Sequence, residues 1–291
     1  MDIVCRNLED LRTLGVKFVD FTGGEPLLYE YLPEVLEYSK RIGLRTTITT
    51  NGILYPKRAT ELAGFVDILQ ISIDAADRDA HDKVKGVPCF DRVIESIEIS
   101  CSLGERPTFI HTVTDENFPF VSDVISLARK MKVPLFINPC FSYFGNKGLS
   151  RQNAISLGKI VRGKGVTIDR GFLKFYIDGG NSRDNPRCLA VSSTVVISPD
   201  DKLILPCFHL KTRELPIEGR LIALRKDPSV EFEKHLEGRH PYCEGCAVNC
   251  YIRASLFRRF DRYFLPTVFS AAKYLFEYYR MPLEKAKKDK K

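Results

Sequence analysis

Over residues 5–140, apolar positions fall into two alternating rhythms. Stretches with apolar residues at helical spacing fall near residues 8–14, 32–42, 56–63, 90–103 and 118–131. Between them lie compact runs rich in β-branched and aromatic residues at 16–21, 44–50, 66–73, 108–113 and 133–138. Gly15, Gly43 and Gly104 stand where helices should stop, because glycine takes a positive φ without strain. The runs read as strands covered on both faces. Strand and helix in strict alternation, with short links, predict a parallel α/β sheet of five strands. In such sheets chemistry gathers where strands end and helices begin. That places residues 23–26, 49–52, 72–75 and 114–117 on one rim.

The rhythm breaks near residue 150. Residues 193–206 read as a β-hairpin turning at 199–202, bracketed by Cys188 and Cys207. The spacing Cys243-x2-Cys246-x3-Cys250 follows. The expected organisation is an α/β domain over 1–149, a small cysteine-rich domain over 150–255, and an aromatic, basic tail over 256–291.

Composition sharpens this in three ways. Apolar residues at 44% and charged residues at 28% describe an ordinary soluble chain, with no secretory leader and no membrane-spanning run, so a cytoplasmic protein is expected. The net charge of +7 sits entirely in residues 251–291, where eleven Lys and Arg face four Asp and Glu. The body is therefore neutral, and no nucleic-acid partner is expected. Nine cysteines, an odd number with five in the last third or so, suit metal binding better than a disulfide framework.

Three rim stretches carry candidate chemistry, and each has a plainer reading. FTGGEPLL at 21–28 could be a simple strand-to-helix turn, with Glu25 and Pro26 at home in a first helical turn. Alternatively Gly23 and Gly24 bare the backbone to a ligand and Glu25 accepts from a cationic amine. TTNG at 49–52 contains a leading turn dipeptide. In QISID at 70–74, Asp74 could cap a helix, or Ser72 and Asp74 could bind ribose hydroxyls.

In this order, at successive strand ends, the three stretches resemble the radical S-adenosylmethionine (SAM) enzyme family. HTVTDEN at 111–117 fits as well, so the resemblance covers roughly residues 8–140. It implies a partial (β/α) TIM-like barrel. It also implies that Gly23, Gly24, Glu25 and Pro26 meet the methionine amino group of SAM, that Ser72 and Asp74 lie near the ribose, and that Thr50 and Asn51 lie near the sulfonium. Cys188, Cys207, Cys243 and Cys246 resemble the auxiliary iron–sulfur domain, SPASM or its shorter twitch form, appended to many such enzymes. A [4Fe–4S] cluster is then expected there, structural zinc being the alternative, with Cys250 a fifth ligand or a buried thiol.

One family element is not found. The C-x3-C-x2-C loop that holds the SAM-binding cluster occurs nowhere in the sequence, and the first barrel strand is missing with it. A start placed too far downstream, or a fragment, is the expected reason; true loss of the chemistry is the alternative. The resemblance implies reductive cleavage of SAM to a 5′-deoxyadenosyl radical. That radical takes hydrogen from a small-molecule or peptide substrate, and a flavodoxin- or ferredoxin-type protein is the reductant. As given, the chain is expected not to cleave SAM. The rival is a non-catalytic barrel that binds a nucleotide or a protein partner, with zinc at the cysteines. In the tail, Leu265, Val268, Ala272, Leu275 and Tyr279 recur at helical spacing. They predict a helix packed on the body. The other reading is an in-plane membrane helix, a peripheral contact, with lysines 285–291 near anionic lipid.

Overall fold

The structure is a computed structural model, and it describes residues 1–142 and 147–280. The first part runs α1 (Asp2–Thr13), β1 (Phe18–Phe21), α2 (Leu32–Arg41), β2 (Arg45–Thr50), α3 (Tyr55–Leu62), β3 (Ile68–Ser72), α4 (Arg78–Lys85) and α5 (Phe90–Ser102). It continues β4 (Pro107–Val113), α6 (Val121–Met131), β5 (Leu135–Pro139), α7 (Arg151–Ile160), β6 (Val166–Ile168) and α8 (Arg170–Ile177). The second part comprises α9 (Ala190–Ser193), β7 (Lys202–Leu205), β8 (Arg213–Pro216), α10 (Leu221–Leu224), α11 (Pro228–His235), α12 (Asn249–Leu256) and α13 (Phe264–Arg280).

Strands β1 to β6 pair in sequence order, all parallel, into a six-stranded partial barrel. The sequence pattern falls one strand short, because β6 spans three residues, too few to show a period, and lies beyond residue 150. It also misses α4. Asp77 caps that helix by accepting from Ala80 N at 3.0 Å and Gly86 ends it in the left-handed region at φ 74°, but only His81 of its residues is buried, so no apolar stripe marks it.

The expectation of strands apolar on both faces is corrected. Ile48, Leu69, Ile71, Phe109, Leu135, Ile137, Val166 and Ile168 point outward and share one core with the flanking helices. The inward rows follow the parallel register. Asp20 pairs with Thr47, Thr49 with Gln70, Gln70 with Thr108, Ile110 with Phe136, and Thr112 with Asn138. This face is mixed, polar at Asp20, Thr47, Thr49, Gln70, Thr108, Thr112 and Asn138 and apolar at Ile68, Ile110 and Phe136.

The expected hairpin forms as a short antiparallel pairing across the 199–202 turn, and a further strand extends it. β7 pairs antiparallel with β8, so Cys207 lies in the connecting loop. Residues 193–198 contribute the Ile197–Leu203 bridge and the Ser198 N to Lys202 O bond of 2.9 Å across the turn. The hairpin's apolar face, Leu203 and Leu205, packs with Ile217 and Leu221 against Leu8 and Leu11 of α1.

Helix α13 packs on the body as expected, but on the opposite face. Leu265, Leu275 and Tyr279 are exposed, whereas Thr267, Ser270, Tyr274 and Tyr278 are buried. The buried tyrosines lay their rings against Phe136, Ile68 and Ile110, and the buried hydroxyls find polar partners. Tyr274 Oη lies 3.1 Å from Thr108 Oγ1, Tyr278 Oη donates to Asp67 O at 2.7 Å, and Thr267 Oγ1 donates to Asp169 Oδ1 at 3.2 Å. No helix among the described residues is long and apolar enough to cross a membrane; residues 285–291 lie outside those described.

The seam between α8 and α13 depends on Gly171. A Cβ there would stand 2.0 Å from Thr267 Oγ1 and 2.3 Å from Tyr263 O. Gly171→Ala is expected to lower the unfolding free energy by about 3 kcal/mol, read in a urea titration.

Candidate functional site

Glu25 follows β1, Thr50 and Asn51 end β2, and Ser72 and Asp74 end β3, so three adjacent parallel strands bring the expected residues to one rim. Gly23 has φ 136°, a conformation that L side chains rarely adopt. A Cβ on Gly23 or Gly24 would meet nothing within 4 Å. β1 is the sheet's edge strand, so the bare backbone that follows it faces open space.

Glu25 is fixed rather than free. Its Oε1 accepts from Thr50 Oγ1 at 2.6 Å and Leu27 N at 3.1 Å, and its Oε2 accepts from Asn51 N at 2.8 Å. A carboxylate has about four acceptor positions. One remains on Oε2, where a cationic amine could bind. Pro26 is buried at the start of the following 3-10 turn. Thr50 is 2% exposed, and its hydroxyl also accepts from Gly52 N at 3.0 Å, so it holds the turn together. Asn51 Oδ1 accepts from Ile53 N at 2.9 Å, leaving its amide nitrogen available. Asp74 pairs with Lys85 at 2.9 Å.

Sequence reasoning passed over Asp20, an acid between two core-facing residues, Val19 and Phe21. It lies on the inner face, open to the lumen but walled by protein. Burial raises its carboxyl from 3.8 to about 6. The folded state therefore holds this proton more tightly than the unfolded chain. The stability that this contributes is full below about pH 4 and lost as pH rises through about 6. Asp20→Asn is expected to raise the melting temperature at pH 8 and to leave it unchanged at pH 4. Opposite stands α12, where Asn249 Nδ2 donates to Asn138 Oδ1 at 2.8 Å and the Arg253 guanidinium lies 4.6 Å from the Phe136 ring centre.

Four of the five expected metal cysteines converge. Burial raises the thiols of Cys188, Cys207, Cys243 and Cys246; neighbouring thiols push Cys188 and Cys243 further, Cys243 up to about 11. Asn181, which sequence reasoning missed, ties their loops together. Its Oδ1 accepts from Cys188 N at 3.2 Å, its Nδ2 donates to Cys243 O at 3.0 Å, and its backbone N donates to Cys246 O at 2.9 Å. Gly180 makes this fit, since a Cβ there would stand 2.4 Å from Gly245 O. Cys250 departs from the set. Its thiol is raised by the surrounding protein and by the carboxylate of Asp20.

Among the described residues, His81, Asp82 and Cys89 are the group whose ligand atoms fall within 4.8 Å of one another. Their hydrogen bonds speak against a metal there. His81 Nδ1 accepts from Asp74 N at 3.1 Å, so the neutral ring carries its proton on Nε2 and offers no lone pair. Asp82 Oδ1 is taken by Cys89 N and Phe90 N, both at 2.8 Å, at the start of α5.

Residues 5–125 match the family model described as Radical SAM superfamily. A probable GTP 3′,8-cyclase of Saccharolobus solfataricus is 37% identical over 118 residues, 38% of this chain and 38% of that protein. An AdoMet-dependent heme synthase of Oleidesulfovibrio alaskensis is 32% identical over 122 residues, 40% of this chain and 31% of that protein. The matches thus span well under half the length of these curated relatives. In fold, the chain is similar to SuiB of Streptococcus suis bound to S-adenosylmethionine, with TM-score 0.66 and 17% identity over 91% of this chain and 67% of that one. It is also similar to anSMEcpe with bound AdoMet and Cp18Cys peptide, with TM-score 0.60 and 16% identity over 94% of this chain and 89% of that one. The Radical SAM superfamily match thus lies on the strands that build the rim, and the fold likeness to these structures runs on through the cysteine-rich region.

Proposed function

We propose that the rim binds SAM and that the auxiliary domain, of SPASM or twitch type, holds one [4Fe–4S] cluster. The observation that carries the reading is Glu25, locked by the end of β2 behind an open Gly23–Gly24 edge with one acceptor position left. There Glu25 accepts from the methionine amino group, the glycine backbone takes the carboxylate side, and Ser72 and Asp74 face the ribose. A SAM-binding [4Fe–4S] cluster, when bound, would supply the electron for reductive cleavage of SAM. The 291 residues contain no C-x3-C-x2-C, so none of their cysteines is assigned to that cluster.

Four thiolates suit a [4Fe–4S] cluster or a structural zinc alike, and iron and sulfide analysis separates the two. The substrate occupies the lumen between Asp20, Gln70, Asn138 and α12. Asp20 has no ion-pair partner among the described residues and would repel a polyphosphate, which favours a peptide or a cationic metabolite. A flavodoxin- or ferredoxin-type protein is the proposed reductant. Equilibrium dialysis of the full chain with radiolabelled SAM tests the reading. Saturable binding is expected, and absence of binding overturns it.

A further inference from the structure

We infer that His81 and His111 are positioning residues for Asp74, clamping from opposite sides the single peptide unit that carries it. The inference rests on the reading that Asp74 faces the adenosyl ribose. The sheet ladder ends at Ile73, whose N donates to Ile110 O at 2.9 Å. The next amide, joining Ile73 to Asp74, has lost its strand partners. Its carbonyl meets His111 Nδ1 at 2.8 Å, and its N–H meets His81 Nδ1 at 3.1 Å. Both histidines are fully buried. In a trans peptide the C=O and N–H point opposite ways, so one ring grips each side.

The chemistry fixes the two tautomers, and they are opposite. A carbonyl only accepts, so His111 carries its proton on Nδ1. An amide N–H only donates, so His81 Nδ1 is bare and its proton sits on Nε2. Each Nε2 is left buried with no hydrogen-bond partner. Protonating His81 would set Nδ1–H against the Asp74 N–H and open the clamp. Burial opposes this, lowering the proton affinity of both rings. The charged groups facing His81 are Asp74, Lys85 and Asp82, with the Cys89 thiol beside it; Asp74 is the one facing His111. With Lys85 holding the carboxylate from above, Asp74 is fixed through both its backbone and its side chain.

Two measurements on the full chain test this. The first is imidazole ¹⁵N NMR between pH 5.5 and 8. It should show His111 as the Nδ1–H form and His81 as the Nε2–H form, neither titrating. Equal tautomers, or a charged ring, overturn the clamp whatever the fate of the SAM reading. The second is SAM dialysis with variants. His81→Leu and His111→Phe are expected to weaken SAM binding about tenfold each, one hydrogen bond's worth. His81→Asn and His111→Asn, whose amides can replace Nδ1, should recover most of it. In an Asp74→Ala background, His81→Leu should cost nothing further. Full additivity, or variants that bind like wild type, overturn the positioning role. Wild-type protein that binds no SAM sinks the SAM reading, and the tautomers then decide the clamp alone.

Discussion

Replacing any one of Cys188, Cys207, Cys243 or Cys246 by alanine is expected to abolish metal loading of the auxiliary domain, whereas Cys250→Ala should leave it intact. After anaerobic reconstitution, wild type should carry about four iron and about four sulfide per chain at this site, and the four variants close to none. The effect should reach the fold as well. The hydrophobic cluster around these thiols includes Cys188, Tyr251 and Ile252 and is joined by Cys207 and Cys246. Stripped of metal, these loops keep only the Asn181 hydrogen bonds and this one small cluster to hold them. Structural metal sites contribute on the order of 10 kcal/mol to folding. Loss of the cluster is therefore expected to melt this region well before the barrel, seen as a separate low-temperature transition. Zinc at one per chain, or full iron loading in Cys246→Ala, would overturn the cluster assignment.

Glu25→Ala should be the most damaging single change in the barrel rim. It strands three donors, Thr50 Oγ1, Leu27 N and Asn51 N. An orphaned buried donor costs about 1–3 kcal/mol, and partial solvent access at Glu25 brings the sum to roughly 2–4 kcal/mol. For a chain of this size that corresponds to a fall in melting temperature of roughly 5–10 °C. Glu25→Gln keeps one acceptor oxygen and should melt closer to wild type, but it presents an amide to the incoming amine. Both variants should lose SAM binding. A Glu25→Gln protein that binds SAM as tightly as wild type would sink the role assigned to this carboxylate.

The rim was legible in the sequence because its signals are local. Glycines, one acid and a proline directly after a strand can be read from eight residues, and Glu25 does bond to the Thr50–Asn51 corner. The outward apolar residues likewise gave strands β1 to β5. What could not be read was anything set by a distant surface. The buried face of α13 is chosen by Thr108, Asp67 and Asp169 rather than by its own apolar stripe. Cys250 has the spacing of a ligand and stands on helix α12, where the Asp20 carboxylate raises its thiol. Asp20 itself was visible as an acid flanked by apolar residues; only the register, which sets it beside Thr47 on the inner face, gives that oddity a meaning. Asn181 is one amide among many until the fold brings four backbone segments to it.

Helix α13 seats its tyrosines among the first residues of β2 to β5, at the end of the barrel away from Glu25 and Asp74. The barrel is thus a cup, stoppered at its base. A guest inside the barrel is thereby barred from the base, leaving the end over which SAM is proposed to lie and the open edge along β1 as its routes.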